Sequence, residues 1–313
     1  AGIGIGMGHG AESTLSNPAL ITTIEKNTEV SFGGTLFMPD VESTNSLGGP
    51  NVTSSSKADT FVIPSVSVAH KVNENFYAGI GMWGTGGLGV DYRDTAASLA
   101  GGTQMQMVTA LALMQFGAPL VYTNGSLSLG VTPIIQYGTL DINYANPMNA
   151  DANVGTGVGS DISTGFNLGA AYKMKNLTFG AVYKSKIDMK YDGSLSTAVG
   201  AMTGGAYTND VLSTPAEYGV GVSYSRGGHT LALDYKNINW EDAGGYKDFG
   251  WEDQDIFIIG YEYATEKWAV RVGYSDTDSA VQDNTGKNLA LDGMVPDLTN
   301  TFNALGFPGN IET

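Results

Sequence analysis

The chain has 313 residues, no cysteine, 44 glycines and a formal net charge of −16. The lack of cysteine excludes disulfide scaffolds, thiol nucleophiles and cysteine-based zinc sites, and the acidic charge argues against nucleic-acid binding, which needs basic patches. No segment approaches the roughly 18 consecutive apolar residues of a transmembrane helix. If the chain spans a membrane, only a closed β-barrel satisfies its backbone.

The first segment of the chain, Ala1–Asn27, differs in kind from the rest. Glycine occupies every second position from Gly2 to Gly10, and Asn17-Pro18-Ala19-Leu20 follows. No strand precedes these glycines and no Gly-Lys-Ser/Thr follows, so a phosphate-binding loop is not supported. We interpret this segment as an ordered leader tied into a barrel. The start at Ala1 fits an exported protein whose signal peptide has been cleaved.

The strongest strand pattern runs from Leu177 to Tyr191. Odd positions are mostly apolar, whereas the even positions include Lys184, Lys186, Asp188 and Lys190. This period of two predicts a strand whose lysines and aspartate share an inward face. Its length fits a tilted membrane strand of about 9–11 residues better than a soluble strand of about 5–6.

Other segments repeat this alternation, and aromatic residues recur near their ends, as in the interface girdles of membrane barrels. Tyrosine also favours the strands of soluble sandwiches, which is the alternative interpretation. The alternating segments are residues 126–131, 165–172, 217–224 and 268–275.

The connections between these segments are short and long in turn. Outer-membrane barrels have short periplasmic turns and longer external loops, so the rhythm assigns the two sides of the chain. We count about eleven strands between Val30 and Asp276. Single-chain bacterial barrels use even numbers of strands, so we expect residues 28–313 to form an all-β, transmembrane antiparallel β-barrel that lacks its C-terminal strands. The short connections are residues 71–75, 122–125, 173–176, 226–228 and 264–267, and the long ones are residues 41–58, 93–102, 146–160, 192–213 and 240–253.

Several short motifs, in this order along the chain, resemble the FadL/TodX family of outer-membrane transporters for hydrophobic compounds. The first are Gly6-Met7-Gly8-His9-Gly10 and Asn17-Pro18-Ala19-Leu20, directly before the first strand. Residues 86–92, Gly-Gly-Leu-Gly-Val-Asp-Tyr, lean towards the branch that transports aromatic hydrocarbons. The resemblance continues over residues 64–73, 165–186, 214–240 and 271–275.

The resemblance implies a 14-stranded barrel whose lumen is plugged by residues 1–27, the hatch. The family's hatch motif falls on Asn17, Pro18 and Ala19. An apolar ligand is then expected to enter from outside, occupy a luminal pocket and leave sideways into the bilayer. Long-chain fatty acids and aromatic hydrocarbons both remain open as ligands.

Six apolar residues are candidates for the ligand pocket. Met7, Leu15 and Leu20 belong to the expected hatch, and a plug residue cannot face lipid. Met105, Met107 and Phe116 lie in one apolar segment, where thioethers conform to irregular ligands. A lipid-facing position is the alternative for this second group.

Lys184 and Lys186 are candidates for contact with a carboxylate headgroup. Pairing with acidic neighbours such as Asp234 or Glu217 is the favoured alternative, because inward charges are ordinary in these barrels. Inward glycines leave volume for a hatch and a ligand, or else they relieve twist. These glycines are Gly79, Gly81, Gly169, Gly180, Gly219, Gly221 and Gly273.

Passive uptake of hydrophobic molecules across the bacterial outer membrane is therefore the leading hypothesis, and a general diffusion porin is the alternative. We find no Gly-x-Ser-x-Gly elbow and no Ser/His/Asp order, so the sequence does not support an enzyme. No cofactor or metal site is predicted, since the three histidines are scattered. The acidic residues 241–255 favour a solvated loop, and calcium bridging to lipopolysaccharide is the alternative. The expected partners are a hydrophobic ligand, outer-membrane lipid and lipopolysaccharide, around a monomer.

Overall fold

The computed structural model describes residues 2–45, 52–93, 98–99, 103–104, 106–146 and 149–281. Within these residues the chain is mostly antiparallel sheet. The strands are β1 (Thr28–Phe37), β2 (Glu42–Asn45), β3 (Val52–Ser55), β4 (Phe61–Lys71), β5 (Phe76–Asp91), β6 (Ser98–Leu99), β7 (Thr103–Gln104), β8 (Val108–Gly117), β9 (Leu120–Thr123), β10 (Leu127–Asn146), β11 (Asn149–Val154), β12 (Gly159–Met174), β13 (Leu177–Lys184), β14 (Ala216–Arg226), β15 (His229–Asn239), β16 (Gln254–Ala264) and β17 (Ala269–Thr277). The helices are α1 (Ser194–Met202) and three short 3-10 helices, Gly10–Leu15, Pro18–Thr23 and Tyr246–Phe249.

One large sheet forms the wall, in the order β1-β4-β5-β8-β10-β12-β13-β14-β15-β16-β17. The short strand β9 continues the line of β8, because both pair with β5 and β10. The wall therefore has eleven strand positions, and the prediction of an antiparallel β-barrel is confirmed. β1 and β17 are the end strands of the sheet, and they do not pair with each other in the part of the chain described.

The alternation predicted from sequence is present in the wall. In β10, Leu129 and Ile135 are about half exposed, whereas Thr132 and Gln136 on the opposite face are fully buried. Side chains alternate between the faces of a strand, so the exposed apolar face is the lipid-facing surface of a membrane barrel. No helix within the described ranges is long and apolar enough to cross a membrane.

The rhythm of short and long connections is also confirmed. In the β4–β5 turn, the side chain of Asn73 accepts hydrogen bonds from the backbone N–H groups of Asn75 and Phe76. The β14–β15 turn uses Gly227 and Gly228 with φ of 60° and 83°, a backbone region that favours glycine. The long connections carry α1 and the third 3-10 helix. We therefore place the short turns on the periplasmic side.

The predicted strand from Leu177 to Tyr191 is wrong beyond Lys184, where β13 ends. After Lys184, Met189 and Tyr191 are fully buried, whereas Lys186, Asp188 and Lys190 are exposed. The two faces have exchanged because the chain leaves the wall after Ser185, whose backbone N–H still donates to Phe166. A period of two continues through such a change, so the pattern does not reveal it. The predicted inward face shared by Lys184, Lys186, Asp188 and Lys190 therefore does not exist.

Candidate ligand site in the barrel lumen

An apolar cluster fills the loop-side half of the space inside the wall, and we call it the luminal cluster. Inward side chains of β5, β8 and β10 form one side, and the segments after β13 and β15 form the other. Its buried members include Trp83, Val90, Leu111, Ile134, Leu140, Ile142, Tyr144, Ile187, Met189, Tyr191, Leu195, Val199, Tyr246 and Trp251.

The inward face of β10 shows why the cluster lies at that end. Near the periplasmic turn this face carries Ser128 and Thr132, whereas towards the loops it carries Leu140 and Ile142. One strand thus offers a polar floor and an apolar upper half. The floor meets the N-terminal segment, and the upper half meets side chains that the loops return to the lumen.

Helix α1 covers part of the cluster. Its residues Leu195, Ala198 and Val199 have no exposed surface. The hydroxyl of Tyr144 donates to the carbonyl oxygen of Ala198 at 2.6 Å, which ties the helix to β10. Asp210 accepts from the backbone N–H of Ser196 at 2.9 Å in the first turn, where a carboxylate is favourable. The sequence after β13 therefore folds back as a fixed cover.

Three aromatic rings close the cluster on the loop side. Trp240, Tyr246 and Trp251 have ring centroids 4.7–4.8 Å apart and meet at steep angles, an arrangement favourable for aromatic pairs. Burial raises the pKa of the Tyr246 and Tyr191 phenols above their usual value. These hydroxyls therefore stay neutral at physiological pH, and the cluster presents a neutral, largely apolar surface.

A short polar chain crosses the inner wall next to the cluster. The amide of Gln115 donates to Gln136 at 2.8 Å, and the amide of Gln136 donates to Thr214 at 2.8 Å. Gln136 is fully buried. Pairing the amides with each other removes the cost of burying them, so the polar chain does not make the region hydrophilic.

The N-terminal segment, residues 2–23, lies against the polar floor and is held by a buried carboxylate. Asp234, on the inward face of β15, accepts hydrogen bonds from the backbone N–H groups of Gly4, Ile5 and Gly6 at 2.8, 2.8 and 3.1 Å. The hydroxyl of Ser223 donates to the Gly6 carbonyl oxygen at 2.7 Å. Three consecutive backbone N–H groups of the glycine-rich start thus donate to one carboxylate.

The predicted motif Asn17-Pro18-Ala19 lies where this segment meets the wall. The Asn17 amide donates to the carbonyl oxygens of Ile5 at 2.9 Å and Ala170 at 3.2 Å. Its side-chain oxygen accepts from the Ala19 N–H at 3.1 Å and caps the second 3-10 helix. All three motif residues are buried. Asn17 therefore joins both halves of the segment to β12.

Inward glycines of the wall lie under this segment. A methyl group at Gly180 would overlap the Ile5 carbonyl oxygen, and one at Gly169 would overlap the Asn17 side chain. At Gly130 it would lie 2.9 Å from the Ala19 nitrogen. From sequence, the inward glycines either leave volume for the lumen or relieve twist in the wall. At these three positions they leave room for the N-terminal segment. Gly79 differs, because its neighbours are Val68 and Pro119 of the wall itself.

The charged candidates lie in two different places. The Lys184 amine lies 3.1 Å from the Glu217 carboxylate, which is the structural pairing favoured from sequence. Asp234, the other suggested partner, is taken by the N-terminal segment. Lys186 instead pairs with Asp188 at 3.4 Å and lines a polar cleft of about 790 Å³ with Asp248.

The apolar residues predicted for the ligand pocket also lie in different places. Met107 is buried in the luminal cluster, and Leu15 packs against it. Leu20 packs with Ala19 and Ala171, and Met7 lines a separate cleft of about 590 Å³. Phe116 is 43% exposed on the lipid-facing side of β8, so its assignment to the pocket is wrong. Met105 lies outside the described residues.

Most of the luminal cluster was missed from sequence. Tyr144 and Tyr191 continue strand-like patterns, and Tyr246 and Trp251 lie in a polar loop. The available signal was the occurrence of bulky aromatics in a connection that was expected to be solvated. Such rings need a buried surface, which a loop folded into the lumen supplies.

The wall parts between β4 and β5 beside the luminal cluster. Their pairing runs only from Ser65–Trp83 to Lys71–Tyr77. Residues 61–64 pair with β1, and Gly84 and residues 86–91 pair with β8. Pro64, which has no N–H to donate, lies where the pairing stops. We call this separation the β4–β5 parting, and its last paired residue, Trp83, belongs to the luminal cluster.

Comparisons with solved structures agree on this architecture. The Pseudomonas putida toluene transporter TodX matches with a TM-score of 0.63 at 16% identity, over 88% of this chain and 81% of that chain. A Pseudomonas aeruginosa FadL homologue matches with 0.63 at 16%, over 89% and 78%. The Ralstonia pickettii toluene transporter TbuX matches with 0.61 at 17%, over 88% and 84%. At these identities the likeness establishes the fold.

The family assignment rests on sequence. No curated protein matches the chain. Residues 4–228 match the family model described as outer membrane protein transport protein (OMPP1/FadL/TodX). This match covers more than half of the chain and confirms the resemblance drawn from its motifs. The chain belongs to the OMPP1/FadL/TodX family of outer membrane transport proteins.

Proposed function

We propose that the protein takes up hydrophobic small molecules passively across the outer membrane, through a lumen plugged by residues 1–27. The observation that carries the proposal is the neutral luminal cluster on the loop side of a segment docked on Asp234. Once past the cover formed by α1 and the rings of Trp240, Tyr246 and Trp251, a ligand from outside meets the luminal cluster before it meets the N-terminal segment. We therefore assign residues 1–27 as the hatch and residues 28–313 as the barrel.

Monoaromatic hydrocarbons are the ligand class that we favour, and long-chain fatty acids are the second. TodX and TbuX are described as toluene transporters and CymD as a monoaromatic hydrocarbon channel. In this chain the luminal cluster is rich in aromatic rings. The inward Lys184 is already paired with Glu217, which weakens its role as a carboxylate contact.

We further propose that the ligand leaves sideways through the β4–β5 parting. The parting borders Trp83 of the luminal cluster, and residues 85–87 beside it are exposed. The route through the floor is filled by the N-terminal segment, so the bilayer is the nearer apolar phase. In this proposal the protein acts as a monomer surrounded by outer-membrane lipid and lipopolysaccharide.

Uptake of radiolabelled toluene and of oleate into cells that carry the protein tests the proposal. We expect Asn17→Ala to lower toluene uptake several-fold, because the segment loses its bonds to Ile5 and Ala170. The barrel should remain folded, as judged by heat-modifiable migration on gels. Wild-type uptake in this variant would remove the role assigned to the motif.

The general diffusion porin is distinguished by conductance. A plugged lumen predicts no large, steady ion current through the intact protein in planar bilayers. Deleting residues 1–27 should then open such a current. A large current in the intact protein, unchanged by the deletion, would contradict the hydrophobic channel and support the porin.

A further inference from the structure

Four cations at the periplasmic turns have no acidic partner among the described residues. Lys173 and Lys175 lie at the β12–β13 turn, Arg226 at the β14–β15 turn and Lys267 at the β16–β17 turn. All four are exposed, and none forms an ion pair within the described ranges. We call these four residues the turn cations.

Other cations of the same chain are paired. On the loop side Lys186 pairs with Asp188 at 3.4 Å and Lys190 with Asp192 at 2.7 Å, and at the β4–β5 turn Lys71 pairs with Glu74 at 2.9 Å. The protein as a whole carries a net charge of −16, so unpaired cations are not a consequence of a basic composition. The three turns that carry the turn cations contain one acidic residue, Glu266. The local charge is therefore positive on an acidic protein.

The turn cations form a continuous arc. β12 to β17 are consecutive neighbours in the sheet, and strands in a sheet lie about 4.8 Å apart. Adjacent turns, two strands apart, are thus separated by about 10 Å along the rim. This spacing is comparable to the distance between neighbouring lipid headgroups.

Aromatic residues fix the depth of the arc. Tyr172, Tyr224 and Trp268 lie within two residues of the turn cations and are exposed on the outer face. Such rings lie at the boundary between acyl chains and headgroups. The turns themselves are too short to project beyond this layer. The turn cations therefore lie at the level of the phosphates of the periplasmic leaflet.

We propose that the turn cations bind anionic phospholipid headgroups, of the phosphatidylglycerol class, in the periplasmic leaflet. Each cation at an anionic surface strengthens binding about fivefold, and arginine offers a planar fork that matches a phosphate. The arc then orients the barrel and retains an anionic lipid shell along β12 to β17. This site is independent of the transport proposal.

Electron spin resonance of spin-labelled lipids tests this site. The wild-type protein, reconstituted in phosphatidylcholine bilayers, should bind spin-labelled phosphatidylglycerol at least about fivefold more strongly than spin-labelled phosphatidylcholine. The variant Lys173→Gln, Lys175→Gln, Arg226→Gln, Lys267→Gln should reduce this ratio to near one. Raising the salt concentration should weaken the wild-type preference, since the contacts are exposed charges.

A matched control removes the same charge from the loop side, with Lys57, Arg93, Lys190 and Lys247 changed to Gln. It should retain the wild-type ratio. Equal loss in both variants would show a general charge effect and overturn the site. Equal binding of spin-labelled phosphatidylglycerol and phosphatidylcholine by the wild-type protein would also overturn the lipid site. The turn cations would then fit an acidic protein partner instead. If the fourfold variant does not fold, Glu266→Gln gives a test of opposite sign and should increase the ratio.

Discussion

The position of the N-terminal segment depends on the missing side chain at Gly180 and on the carboxylate of Asp234. The inward face of the wall is bare at Gly180, which lets the Ile5 carbonyl approach the strand, while Asp234 accepts three backbone N–H groups. Bonds to a charged acceptor contribute about 1.5–3 kcal/mol each. The N-terminal segment is therefore held by strong hydrogen bonds to Asp234, and the absence of a side chain at Gly180 lets it lie directly against the strand.

Gly180→Ala tests this arrangement with one methyl group. We expect the N-terminal segment to detach, because the new methyl overlaps the Ile5 carbonyl. Hydrogen exchange of residues 2–23 should become much faster, and ion conductance should appear. Gly34→Ala is the control, since its nearest atom would lie 4.0 Å away, and it should leave both unchanged. Retained protection in Gly180→Ala would mean that the glycine only relieves strain in the wall.

At the scale of strands and segments, the parting of β4 from β5 is the feature that admits a direct test. A methyl carbon built at Gly84 lies 3.8 Å from the Ile63 Cβ, within the range of about 3.5–4.5 Å that disulfides need. The chain has no cysteine of its own. A bridge between these two positions would therefore fasten the two strands where their pairing has stopped.

The double variant Ile63→Cys, Gly84→Cys should lose toluene uptake when oxidised and regain it when reduced, if release is lateral. The expected loss is several-fold, because the closed parting removes the route from the luminal cluster to the bilayer. Each single-cysteine variant is a control and should keep its uptake under oxidation. Undiminished uptake with the bridge fully formed would show that the ligand leaves elsewhere.

The strand positions were predictable from the sequence, whereas the path of the chain after β13 was not. The period of two and the alternating connection lengths predicted the eleven strand positions, because lipid and lumen impose opposite demands on neighbouring residues. The exit of the chain from the wall at Ser185 was not predictable, since alternation continues unchanged while its faces exchange. The motif at Asn17 was found by resemblance. Its contacts to Ile5 and Ala170 depend on tertiary structure that no local pattern encodes.

For the whole molecule, one sheet separates two environments, and its stability depends on both. The outer face exposes apolar residues such as Val220, at 57%, and Leu233, at 48%. The inner face buries polar ones such as Thr132 and Gln136. This distribution is the reverse of a soluble domain, in which large apolar residues are mostly inside. Folding is therefore favourable only where acyl chains cover the outer face.

Val220→Arg tests this dependence, because Val220 lies near the middle of β14 on the lipid-facing side. An arginine at the bilayer midplane costs about 2–4 kcal/mol, whereas one near the interface costs about 0–1 kcal/mol. Reversible urea unfolding in lipid vesicles should show a loss of this size for Val220→Arg. Asn176→Arg, at the β12–β13 turn, should change the free energy of unfolding little. Equal losses for the two variants would mean that Val220 does not lie in the acyl layer.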